Sequence, residues 1–135
     1  MNLSVDAALL YGILGAVLLT YFPYLFVATG RFQVGYDMSA PRAMFDKLPE
    51  YAKRANWAHQ NCFEALAIFT AAALMAYVTG VESDWAKYSA IAFLVSRFLF
   101  SVFYILDIPP LRSLMFGIGS ASSFTLFALS LKTLG

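Results

Sequence analysis

The chain is poor in the residues that soluble chemistry draws on. A single cysteine, Cys62, excludes an internal disulfide and makes a membrane dithiol oxidase a poor fit. A single histidine, His59, has no second imidazole to share a metal ion, so no metal site is expected. Charge is scarce: 13% of the 135 residues are Asp, Glu, Lys or Arg, and the net charge is +1. That fraction is about half of what ordinary soluble domains carry. A nucleic-acid binder would need a basic patch on a polar surface, and there is none. No lysine or arginine precedes the first apolar segment, which is also too long for a secretory signal. That segment is therefore expected to be a retained first transmembrane helix.

What abounds is apolar, at 61% of the residues. A soluble fold of this size cannot hide so much apolar surface, so the expected solvent is lipid. The expected fold class is an all-α integral membrane protein, a four-transmembrane-helix bundle forming one domain over residues 1–135.

No charge occurs between Asp6 and Arg31, and about 20 residues span a hydrocarbon core. The first helix is thus expected from Asp6 to Thr29, kinked at Pro23, with Gly12, Gly15 and Ala16 as a small packing face. Residues 30–48 read as a loop. The second helix starts near Pro49 and runs to Thr79, where Gly80 stops it. The third runs from Ser83 to Leu106, with Ser83 as cap and Asp84 in the first turn. After Asp107-Ile108-Pro109-Pro110 turns the chain, the fourth runs from Pro110 to Lys132. Its spacings Gly117–Ala121 and Gly119–Ser123 suit close helix contact.

The informative residue is Glu64. An almost unbroken apolar run, Ala65 to Val81, follows it. A carboxylate at bilayer depth costs several kcal/mol unless it is paired or faces a wet cavity. At about 100° per residue, Glu50, Arg54, Trp57, Asn61 and Glu64 fall in an arc of roughly 80°. Arg97, Ser101 and Tyr104 share a face of the third helix, and Arg112-Ser113 open the fourth. Arg54, Asn61, Glu64, Arg97, Tyr104, Arg112 and Ser113 are thereby expected to line a polar pocket for a small zwitterionic or anionic ligand.

Plainer readings stand beside this one. Glu64 and Arg97 would also serve as a buried ion pair fixing helix register. Arg54 and Arg112 suit snorkelling anchors, and Tyr104 an aromatic belt. His59 suits a helix contact, Cys62 simple packing, and Asn61 a bond to a neighbouring helix. Orientation follows from charge. Arg31, Arg42, Lys47, Lys53, Arg54 and Arg112 flank loops one and three, against Lys87 and Lys132 on the other side. This bias puts loops one and three in the cytoplasm and both termini outside.

The segment Arg54-Ala55-Asn56-Trp57-Ala58-His59-Gln60-Asn61-Cys62-Phe63-Glu64 resembles the helix 2 signature of the membrane-associated proteins in eicosanoid and glutathione metabolism (MAPEG), here as a bacterial-type member. The Arg97–Tyr104 spacing and Pro110-Leu111-Arg112-Ser113 look like the family's third helix and the start of its fourth. The resemblance implies a homotrimer that binds glutathione between subunits on the cytoplasmic side. It implies that Arg54, Asn61, Glu64 and Tyr104 contact glutathione, with Arg97 partly structural, and that Arg112 and Ser113 stand nearest the thiol. Trp57 departs from the pattern's second arginine, Gln60 stands where some members have arginine, and Cys62 stands where aspartate often stands.

The implied activity is a membrane-bound glutathione-dependent transferase or peroxidase acting on lipophilic electrophiles by thiolate activation. Two alternatives are a non-catalytic lipid-binding protein of the same fold and a small transporter coupled to protons through Glu64.

Overall fold

The structure is a computed structural model that describes residues 2–135; Met1 of the expected domain lies outside the described residues. It contains four long helices and one short 3-10 helix, with no strand among the described residues. Helix α1 spans Val5–Gln33, α2 Glu50–Thr79, α3 Asp84–Ile105 and α4 Pro109–Leu134. All four are long and apolar enough to cross a membrane. Only 28% to 39% of their most apolar windows is buried within the chain. The rest, including Tyr11, Leu14, Leu18, Tyr21 and Leu25 along one side of α1, faces outward. Such a surface is stable in lipid and not in water.

The helix ends follow local chemistry. Ser4 caps α1 by accepting from the Ala7 N–H at 3.1 Å, and Asp6 sits in the first turn. Ser83 caps α3 in the same way through the Trp85 N–H. Gly80 ends α2 with φ +72°, a left-handed conformation that glycine adopts without a Cβ clash. Asp107 takes φ +60° at the α3–α4 turn, and two prolines then occupy the first positions of α4.

One boundary and one loop differ from expectation. Helix α1 continues through Arg31 to Gln33, because neither Gly30 nor the charge at Arg31 removes a helical hydrogen bond. The first loop also holds a 3-10 helix, Pro41–Lys47, started by the fixed φ of its proline and pinned by the buried Met44.

The core lies where α1, α2 and α3 meet. Phe69 and Phe93 stack with centroids 3.9 Å apart and planes within 8°. Buried alanines (Ala72, Ala73, Ala76, Ala86, Ala90) let the backbones approach. The same logic fixes the α1–α2 crossing: a Cβ on Gly30 would collide with that of Ala52. On α4 the two small-residue spacings differ. Gly119 and Ser123 are buried, and a Cβ on Gly119 would lie 3.3 Å from the Arg97 Cδ. Gly117 faces open space and Ala121 is exposed, so the Gly117–Ala121 face does not pack within this chain.

Candidate functional site

Arg97 organises the site. It lies two turns from the C-terminus of α3 and is 3% exposed. A cation so buried needs acceptors. Its Nη2 donates to Asn61 Oδ1 at 2.9 Å and to Cys62 Sγ at 3.3 Å, both on α2. The guanidinium also lies over the Phe100 ring, 3.9 Å from the centroid. Its Nε is buried without a hydrogen-bond partner among the described residues.

Asn61 passes the interaction on. Its Nδ2 donates to Glu64 Oε2 at 3.3 Å, one helical turn away. The amide is oriented from both ends, oxygen toward the guanidinium and nitrogen toward the carboxylate. No direct Glu64–Arg97 ion pair forms: the ion pairs among the described residues are Lys53–Glu50 and Lys87–Asp84. The buried-pair reading is therefore replaced by an amide-bridged relay. Glu64 is exposed on the outer face of the monomer, which leaves carboxylate oxygen available to an external donor. Asn61, Glu64 and Arg97 line a cleft of about 100 Å3, closed by Phe93, Phe116, Gly119 and Ser123.

The remaining expected residues sit nearer the α3–α4 turn. Arg54 Nε donates to the Ile105 carbonyl at 3.0 Å, so it satisfies an orphan carbonyl at the α3 C-terminus. Tyr104 stands edge-on to Phe100, with centroids 5.5 Å apart. Arg112 places its guanidinium 4.6 Å from the Tyr104 ring centroid. Arg97, Phe100, Tyr104 and Arg112 thus form a ladder of two stacked rings with a cation at each end, running from the cleft to the turn. Ser113 is exposed next to Arg112, roughly 100° around the helix from it. The seven expected residues therefore form one cluster (Asn61, Glu64, Arg97) and one ladder end (Tyr104, Arg112, with Arg54 below). Ser113 lies outside both within this chain.

Sequence reasoning missed Phe100, although its position three after Arg97 puts it on the same helix face. It missed Cys62 as an acceptor, because a lone cysteine gives no signal beyond packing. Ser101, grouped with the polar face, points to Cys62 Sγ at 3.6 Å and is fully buried.

His59 lies elsewhere on α2, as expected of a helix contact. Its Nδ1 is 2.6 Å from the Thr20 carbonyl of α1. A carbonyl only accepts, so the proton is on Nδ1. The neighbouring Leu19 carbonyl loses its helical donor at Pro23, which loosens the ladder at this place. Trp57 and Gln60 line a second, larger cavity on the α1 side of α2.

Comparison with known families completes the picture. The MAPEG family profile matches residues 8–132, nearly the whole chain, and the chain belongs to that family. No curated protein and no solved structure matches it. Four long apolar helices together with this membership make it an integral, multi-pass membrane protein.

Proposed function

We propose that this MAPEG-family protein is a membrane-bound glutathione-dependent transferase or peroxidase acting on lipophilic electrophiles. The observation that carries the reading is the Arg97–Asn61–Glu64 relay, which holds an outward-facing carboxylate at membrane depth. In this reading Glu64 receives the ammonium or an amide N–H of the tripeptide, and Asn61 and Arg97 set its position. Arg54 and Tyr104 shape the wall toward the α3–α4 turn.

Arg112 acts on the thiol. Its guanidinium rests on Tyr104, and the structure records no hydrogen bond from it among the described residues. A free thiol has a pKa near 8.5, and the thiolate is the nucleophile. Lowering that value by about two units needs roughly 2.7 kcal/mol of differential interaction. One charge-assisted contact in a water-poor site is of that size. Ser113 adds a donor to the sulfur from the same turn. The thiolate then attacks an electrophilic carbon, forming a C–S bond and expelling the leaving group with its electron pair. With a hydroperoxide it attacks the distal oxygen; the O–O bond breaks and the alcohol leaves after taking up a proton. A second glutathione converts the sulfenic acid to disulfide and water.

Assembly belongs to the same reading. A cleft of about 100 Å3 is several-fold smaller than cavities that enclose ligands of drug size. Trp57, Gln60, Glu64, Ala67, Ala71, Leu74 and Val78 are all exposed and repeat every three and four residues along α2. The polar and small members in the middle of this stripe, Gln60, Glu64, Ala67 and Ala71, suit a helix interface better than lipid. A homotrimer that covers it would enlarge the cleft and bring Ser113 and Glu64 into one site. Loops one and three would face the cytoplasm, with both termini opposite, and lipophilic substrates would enter from the bilayer.

Calorimetric titration of the detergent-purified protein with glutathione tests the thiol. Millimolar or tighter binding, with conjugation of a chlorinated nitrobenzene, is expected. Silence in both measurements would leave a lipid-binding protein of the same fold.

A further inference from the structure

Pro23 breaks the backbone ladder of α1 inside the bundle. It is fully buried and shares a stripe of the helix with the buried Ala16 and Thr20. Proline has no N–H to give, so the Leu19 carbonyl, four residues earlier, lacks its helical donor. Side chains serve the neighbouring carbonyls. Thr20 Oγ1 donates to Ala16 at 2.8 Å, and His59 Nδ1 donates to Thr20 at 2.6 Å. No side chain serves Leu19 among the described residues. A bare carbonyl at bilayer depth is costly. Membrane helices that carry a proline recover the bond from a side chain, a neighbouring helix or an ordered water.

A donor with the opposite deficit stands across the core. Arg97 Nε is buried and has no hydrogen-bond partner among the described residues. Nη2 lies on the same edge of the guanidinium as the Nε–H, so the two can donate in parallel. Nη2 reaches Asn61 Oδ1 and Cys62 Sγ. Asn61 faces the outer cleft, whereas Cys62 lines a small cavity between α1, α2 and α3. Arg97, Leu19 and Thr20 line that cavity too, with Leu66 and Phe93 as apolar walls. Its volume is about 10 Å3, room for one water and nothing larger.

We propose that a single water binds in this cavity, accepting from the Arg97 Nε–H and donating to the Leu19 carbonyl. Thr20 Oγ1 gives its own proton to Ala16 and keeps lone pairs free, so the water's second proton goes there. About three bonds are the usual complement of a buried water. The bridge closes both deficits at once. It ties the break in α1 to the arginine that holds Asn61, and through Asn61 to Glu64. Pro23 is then a positioning residue for Arg97, acting through the acceptor it frees. All the groups lie inside one chain, so the inference stands whether or not the protein uses glutathione.

NMR of the full chain in detergent micelles, with isotope-labelled arginine, tests the bridge. The Arg97 Nε–H should show a cross-relaxation peak to water, told from proton exchange by its sign in the rotating frame. The Arg54 Nε–H, which bonds the Ile105 carbonyl directly, should show none. Pro23→Ala gives Leu19 a backbone donor and should remove the Arg97 water peak. Unfolding adds a readout that packing alone does not move. Pro23→Ala should stabilise the Arg97→Leu chain by about fivefold or more in the unfolding constant beyond its effect on the parent. The parent loses the bridge on that change, and the Arg97→Leu chain has none to lose. If Arg97→Leu does not fold, Thr20→Val, which removes the third partner, takes its place in the cycle with the same sign expected. A missing water peak at Arg97 overturns the proposal. So does a peak that Pro23→Ala leaves intact, since the water is then held by something other than Leu19. Effects that simply add in the cycle overturn it as well.

Discussion

Helix α2 separates two hollows, each with a buried arginine on its wall, and the two arginines are treated in opposite ways. Arg97 is 3% exposed and finds Asn61, Cys62 and the Phe100 ring within the chain. Arg31 is 8% exposed and finds one ring. The first cation is part of the fold. The second has no hydrogen-bond partner for its Nε among the described residues. Burial alone does not separate a structural arginine from a binding one. The acceptors within reach do, and they depend on which helix faces which.

The strongest way to break this comparison is through activity. Arg112→Ala should lower glutathione conjugation by about a hundredfold or more, since it removes the one cation proposed for the thiolate. Binding of the tripeptide should persist, because Glu64 and Asn61 remain. Arg31→Gln should leave conjugation within a few-fold of the parent chain. If steady-state kinetics show the reverse pattern, the chemistry sits on the α1 side of α2 and the two hollows have been assigned the wrong way round.

Stability sharpens the same contrast. Arg97→Leu deletes two hydrogen bonds from a charged donor and a cation–ring contact, and leaves Asn61 Oδ1 without its donor. A loss of about 3 kcal/mol is expected in detergent unfolding. Arg31→Leu has no protein acceptor to orphan. In detergent it should change stability by less than about 1 kcal/mol, or raise it. Equal losses in the two variants would show that the chain itself satisfies Arg31.

Packing on the α1 side yields a smaller effect. Gly30→Ala forces a methyl against the Ala52 Cβ at the backbone crossing. Neither group can rotate away, so a loss of about 1–3 kcal/mol is expected from thermal denaturation.

Much of this was legible in the sequence, and the residues show why. Uncharged stretches, prolines and caps set the four helices, because hydrogen bonding and hydration act locally along the chain. Glu64, Asn61 and Arg97 stood out because polar groups at bilayer depth carry a large penalty. Pairing was not legible. Helical spacing places Arg97 and Glu64 each on the polar arc of its own helix, yet whether they touch depends on a crossing angle that no single helix encodes. The structure inserts Asn61 between them. Arg54 showed the same limit, since its partner is a backbone carbonyl 51 positions away with no side-chain signature. Arg31 was legible as a flanking charge and illegible as an unpartnered one, because the absence of an acceptor belongs to three dimensions.

The smallest expected effect concerns two glycines of α4, identical to a sequence reader. Gly119 packs on α3: a Cβ there would stand 3.2 Å from Ser96 Oγ and 3.3 Å from Arg97 Cδ. Those side-chain atoms must yield by a few tenths of an ångström, and Arg97 cannot move far without stretching its bonds to Asn61 and Cys62. Gly119→Ala should therefore lower stability by about 1 kcal/mol and weaken glutathione binding with it. Gly117 meets nothing within 4 Å. Gly117→Ala gains helix propensity and no clash, so unfolding should show it level with the parent or up to about 1 kcal/mol more stable. Should Gly117→Ala instead destabilise the protein in mild detergent while sparing it in a detergent that keeps it monomeric, then the outward face of α4 packs against another copy.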